Sequence, residues 1–245
     1  MKNYLLGNWK SYGNLAMLDA FKGAFGNNPC SGRSEVSCGL AFPLHLVAPG
    51  TGLSGFLTGS QNVSAHGEGA YTGEVHAAML TEAGCDFSLV GHSERRQYFH
   101  ESVEDTARKL ERLVAEGLTP VFCVGETQQQ RAAGELRDVL ETQLAPILNG
   151  FKGPELVIAY EPVWAIGTGL AATPSDAGQA HGLIRSLLPE HLRDTPILYG
   201  GSVKPGNAAE LAGIDEINGF LVGGASLKGG DFRAIVDAYL AGKGL

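Results

Sequence analysis

A chain of 245 residues that is 44% hydrophobic can bury a large core, and a barrel of this length can fold as one domain. Its 18 Lys+Arg against 26 Asp+Glu leave a formal charge of -8, which excludes the broad basic face that nucleic acid or anionic lipid would need; any bound anion must be held locally. The N-terminal MKNYLLGNWKSYG has too short an apolar stretch for a signal peptide, and no run approaches the roughly 18 apolar residues of a membrane span.

The first apolar run, YLLGNW (4-9), is followed by helical spacing at Leu15, Leu18, Ala20, Phe21 and Phe25. EVSCGLAF (35-42), GFLTGSQN (55-62) and FSLV (87-90) come next, each short enough for a buried parallel strand. Ser102 then stands before Val103-Glu104-Asp105, an N-cap hydroxyl three residues ahead of a carboxylate. Ala107, Leu110, Leu113 and Val114 continue that helix toward Gly117. TPVFCV (119-124) and ELVIAY (155-160) follow, and Thr173 before Pro174-Ser175-Asp176 repeats the start signal with a proline at N1. PILY (196-199) and GFLV (219-222) close the series.

Strand and helix alternate through eight apolar runs with no linker or low-complexity break. The expectation is an α/β fold, a single-domain eight-stranded parallel (β/α)8 barrel over residues 1-245, with a doubly wound open sheet as the rival. A Rossmann sheet would carry G-x-G-x-x-G after its first strand, and this chain has Gly7-Asn8-Trp9-Lys10 there, which favours the barrel. Cys30, Cys38, Cys85 and Cys123 form no CxxC pair and sit in or beside apolar segments, as thiols do when they serve as small hydrophobes. A soluble protein of the reducing cytoplasm is expected.

In such a barrel the chemistry lies at the carboxyl ends of the strands. Asn8 and Lys10 follow the first run, Gly91-His92-Ser93-Glu94-Arg95 the fourth, Glu161 the sixth, Gly200-Gly201-Ser202 the seventh and Gly223-Gly224 the eighth. Taken singly, a surface lysine, a structural histidine and a strand-capping glutamate are ordinary. Together they supply a base, a proton donor, a cation and two glycine turns on one face, which is what binding a phosphate and moving a proton require. Glycine doublets after strands seven and eight would let an anion reach backbone N-H groups.

These residues also carry a family resemblance. GNWK (7-10), VGHSERR (90-96), CVGE (123-126), AYEPVWAIGTG (159-169), YGGSV (199-203) and LVGGASL (221-227) resemble the triosephosphate isomerase family, in the same order and along nearly the whole chain. The resemblance implies an isomerase of glycolysis and gluconeogenesis that interconverts dihydroxyacetone phosphate and D-glyceraldehyde 3-phosphate without metal or organic cofactor. By motif, it makes Glu161 the catalytic base, His92 the electrophile and Lys10 the cation that steadies the enediolate. Asn8 and Lys10 would contact substrate, and Gly167, Ser202, Gly223 and Gly224 would bind its phosphate.

The resemblance further implies a neutral His92 imidazole lowered in pKa by a helix starting at Ser93. It makes Pro162 to Thr168 a mobile lid, with Pro162 and Val163 at one hinge and Trp164 as apolar anchor. It makes residues 65-73 a loop that enters a second copy of the chain, giving a homodimer. Two departures from the family pattern stand out: Leu170-Ala171-Ala172 after the lid, and Ser11-Tyr12 after the lysine. A metal-dependent epimerase, a Schiff-base aldolase or a catalytically silent binding paralogue would each be an alternative. No plausible metal cluster stands out in the sequence, Lys10 already has a role, and Glu161, His92 and Lys10 are all present.

Overall fold

The computed structural model describes residues 1-166 and 172-245. Eight strands, β1 (Asn3–Asn8), β2 (Val36–Phe42), β3 (Phe56–Ser60), β4 (Phe87–Val90), β5 (Thr119–Val124), β6 (Val157–Tyr160), β7 (Ile197–Tyr199) and β8 (Gly219–Val222), pair in parallel in sequence order. β8 pairs back onto β1, so the sheet closes. The eight apolar runs are therefore the eight strands of a parallel barrel, each observed strand matching its run or differing from it by one or two residues at an end, with β1 starting one residue earlier than its run.

Helices lie between the strands in sequence, α1 (Leu15–Phe25), α2 (Leu44–Gly50), α3 (Ala77–Glu82), α4 (Ser93–Phe99), α5 (Val103–Ala115), α6 (Gln128–Ala132), α7 (Leu136–Leu148), α8 (Pro174–Leu187) and α9 (Ala208–Ala212), and α10 (Gly229–Lys243) follows the last strand. The start signals are realised. Ser102 with Asp105 and Thr173 with Asp176 form reciprocal capping boxes, the second with proline in the first turn. Leu18, Phe21 and Phe25 bury the inner face of α1, while Leu15 and Ala20 lie on its exposed side.

Because side chains alternate along a strand, the strand residues divide between two cores. Tyr4, Leu6, Phe87, Leu89, Val121, Cys123, Val157, Ala159, Leu198 and Leu221 pack with one another inside the barrel. Their neighbours, such as Leu5, Val90, Phe122, Ile158, Tyr199 and Phe220, join the larger core between strands and helices. All four cysteines are buried thiols within or against these cores. No helix among the described residues is long and apolar enough to cross a membrane.

Continuing the two-residue period of the interior set to the strand ends and just beyond brings up Asn8, the last residue of β1, and Gly91, Gly125, Glu161, Gly200 and Gly223. Four of these six carry no side chain. The top layer of the barrel is thus left open around Asn8 and Glu161, and this opening positions the site.

Candidate active site

A cavity of about 370 Å³ occupies that opening, with Asn8, Lys10, His92, Glu161, Ser202, Gly223 and Gly224 in its wall. Seven of the eight residues that the sequence marks as site positions therefore come together. The eighth, Gly167, lies outside the described residues, as do Leu170 and Ala171 of the lid departure.

Glu161 follows β6 and is almost wholly buried, at 2% exposure. One carboxylate oxygen lies 2.9 Å from His92 Nε2, and the other accepts the backbone N-H of Ser93 at 2.9 Å. Burial alone would raise its pKa, but His92, the Ser93 amide and Lys10 outweigh burial and hold it below the ordinary carboxylate range. The group is a buried carboxylate held in its ionised form.

His92 is the N-cap of α4, and its Nδ1 accepts the backbone N-H of Glu94 at 3.2 Å. With Nδ1 accepting, the ring proton sits on Nε2, where it faces Glu161. Burial lowers the imidazole pKa, yet the Glu161 carboxylate reverses this and the net direction is upward. The lowering expected from the helix start is thus overridden by the facing charge, while the helix amide still opposes a second proton on Nδ1. In either charge state Nε2 presents a proton to the cavity.

Lys10 adopts the left-handed conformation, at φ 49°, which a non-glycine residue holds only when its surroundings determine it. Its N-H donates to Asn8 Oδ1 at 2.9 Å and its carbonyl accepts from Gln61 Nε2 at 2.8 Å. Its ammonium reaches Glu94 Oε1 at 2.6 Å. Sequence reasoning marks the stretch that holds Glu94 but misses its pairing with Lys10, and misses Gln61, because each partner lies far along the chain from Lys10.

The two glycine doublets differ. A Cβ on Gly201 would lie 2.2 Å from the Tyr199 hydroxyl oxygen, and one on Gly200 would lie 3.0 Å from the Tyr160 carbonyl, so packing within the protein accounts for both. A Cβ on Gly224 would meet nothing within 4 Å, and one on Gly223 only Lys10 Cε at 3.6 Å. The space beside the second pair is open, which suits backbone approach by an anion.

In the described part of the segment that the resemblance makes a lid, Val163–Ala165 forms a short 3-10 turn. Trp164 is more than an apolar anchor. Its Nε1 donates to Glu126 at 2.7 Å, and the Arg131 guanidinium lies 4.3 Å from its ring centre. Glu126, the last residue of the CVGE motif, is fully buried and also accepts the Tyr160 hydroxyl at 3.0 Å. It ties the Val163–Ala165 turn to β6.

With this geometry in place, comparison with known proteins is decisive. The triosephosphate isomerase family model matches residues 3–239. The chain belongs to the triosephosphate isomerase family. It is 47% identical to the triosephosphate isomerase of Paracidovorax citrulli over 97% of this chain and 98% of that one. It is 46% identical to that of Stenotrophomonas maltophilia over 98% and 99% of the two chains, and 45% identical to that of an Azoarcus species over 96% and 98%. The chain is accordingly an enzyme of the isomerase class.

Proposed function

We propose that this enzyme interconverts dihydroxyacetone phosphate and D-glyceraldehyde 3-phosphate through an enediolate, with Glu161 as the base that moves the proton. The observation that carries this reading is the pairing of a buried, ionised Glu161 with a proton-bearing His92 Nε2 at 2.9 Å, inside a cavity that Lys10 also lines. A carbon acid beside a carbonyl loses its proton slowly in water. A carboxylate next to the carbon and a donor where the oxygen gains charge lower that barrier together.

In this reading the substrate takes the place that the two side chains give each other. Glu161 removes the proton from one carbon and returns it to the neighbouring carbon. His92 Nε2-H and the Lys10 ammonium face the growing charge on oxygen, and Asn8 helps orient the triose. Ser202, Gly223 and Gly224 hold the phosphate from the open side of the cavity, with Gly167 as a fourth contact. Trp164, bound to Glu126, anchors a lid that excludes water from the base.

The chain works as one barrel unit, in the cytoplasm, within glycolysis and gluconeogenesis, and as a homodimer. Support for the dimer is the exposure of large apolar side chains, with Tyr12 at 60%, Tyr98 at 65% and Phe99 at 66%, and of Tyr71 within the 65-73 loop. A coupled assay that follows conversion of D-glyceraldehyde 3-phosphate tests the activity. Turnover above the uncatalysed rate is expected, and its absence from folded protein would overturn the assignment.

A further inference from the structure

Glu161 owes its place to a three-residue strip of backbone, residues 124-126, that ends β5 and runs past it. Its N-H donates to the Val124 carbonyl at 2.7 Å, and two residues on, the Val163 N-H donates to the Glu126 carbonyl at 3.1 Å. Gly125 lies between these two bonds. A Cβ there would stand 1.8 Å from the Glu161 carbonyl oxygen and 2.6 Å from its carbon, so the Gly125 and Glu161 backbones are in direct contact. Gly125 is not among the residues with positive φ; it is glycine because of that contact.

The polar groups of Gly125 point away from Glu161 and are taken by a side chain from another element. Its N-H donates to Gln143 Oε1 at 2.8 Å, and its carbonyl accepts from Gln143 Nε2 at 3.1 Å. The primary amide thus meets Gly125 as a neighbouring strand would, with one donor and one acceptor in a fixed plane. Gln143 comes from α7, whose other inward residues, Val139, Leu140, Leu144 and Ile147, are apolar and supply the packing. Holding that helix on the barrel does not require an amide.

Gln143 and Glu161 also line one cavity of about 270 Å³ behind the active site, together with Gly125 and Val163. Space on that side means that the strip is not wedged in place by close packing. At Gly125, which has no side chain to hold it, the amide pair opposes movement into the cavity, while Glu126 is held separately by Tyr160 and Trp164.

We infer that Gln143 is a positioning residue for the base: its amide fixes Gly125, and Gly125 fixes the backbone from which the Glu161 carboxylate reaches the substrate. The inference rests on the reading of Glu161 as base. A misplacement of about 1 Å at a base costs on the order of a hundredfold in rate, so a loosened strip should be visible in turnover while substrate binding persists.

Gln143→Met keeps the length of the side chain and removes both hydrogen bonds. Its kcat for D-glyceraldehyde 3-phosphate should fall about ten- to a hundredfold, with KM within about twofold of the parent, when measured well below the unfolding midpoint. Should that variant not fold, Gln143→Glu replaces it; it retains an acceptor for the Gly125 N-H but has no donor for the carbonyl, and its kcat should fall in the same manner. A kcat within about twofold of the parent, or a raised KM at unchanged kcat, would overturn the positioning role. Glu161→Gln is assayed beside these variants. If it is inactive while Gln143→Met is not, only the positioning role fails; if it is active, the base assignment fails with it.

Discussion

His181 offers a test of the structure that is independent of catalysis. It lies on α8 with no exposed surface, 5.8 Å from the Tyr160 ring and 6.3 Å from the Tyr199 ring. Nδ1 is 3.3 Å from the Glu216 carbonyl, and Nε2 has no partner among the described residues. Burial drives its pKa from 6.5 down to about 3; the Glu216 carbonyl opposes this, and Arg185 and Lys243 add to it. Since the unfolded chain binds the proton that the folded chain refuses, stability falls as pH drops below 6.5 and goes on falling to about pH 3. Each pH unit in that window costs about 1.4 kcal/mol, so at pH 5 the penalty from this one ring is about 2 kcal/mol.

His181→Leu removes the titrating group at similar volume and leaves the Glu216 carbonyl without its donor, a change of about 1 kcal/mol at neutral pH. Denaturant unfolding of parent and variant at pH 7.5 and pH 5, at one protein concentration, isolates the effect, because all other titrations are shared. Relative to its own value at pH 7.5, the variant should gain about 2 kcal/mol on the parent at pH 5. Parallel losses in the two proteins would refute the reasoning.

Other outcomes rest on particular contacts. Glu101 is buried and accepts from Lys109 at 2.5 Å, Arg95 at 2.6 Å and the Gly91 N-H at 2.9 Å, so Lys109→Met should cost about 3 kcal/mol in chemical unfolding at neutral pH. Its deficit should shrink as acid protonates Glu101, whose pKa the two cations hold down against burial. Gly125→Ala must separate two backbones by more than an ångström and should lower kcat by about a hundredfold or prevent folding; an alanine variant with parental kcat would contradict the contact. Sedimentation at micromolar concentration should give about twice the 25.7 kDa chain mass, and a monomer with full activity would refute the dimer.

The barrel was legible because buried parallel strands must be short and apolar, and FSLV, TPVFCV and GFLV are strands at the residues where those runs lie. The capping boxes at Ser102 and Thr173 were legible for a similar reason, since both partners lie within four residues. The identities of the site residues were readable at the positions just past each strand end, but their supports were not. Glu94 meets Lys10 across 84 positions, and Gln143 meets Gly125 across 18, so no local pattern announces either pair. A glycine doublet has one appearance in sequence whether it clears a tyrosine, as Gly201 does, or leaves open space, as Gly224 does. Only the neighbours distinguish them.

Proton abstraction by Glu161 is the centre of the account, and exchange of a carbon-bound proton reports it without a coupling enzyme. Dihydroxyacetone phosphate in deuterium oxide, followed by proton NMR, should lose carbon-bound hydrogen to solvent in the presence of the parent enzyme. With Glu161→Gln, folded as judged by circular dichroism, that exchange should slow by at least about a hundredfold, the contribution of a general base. Exchange at the parental rate in the variant would contradict the account.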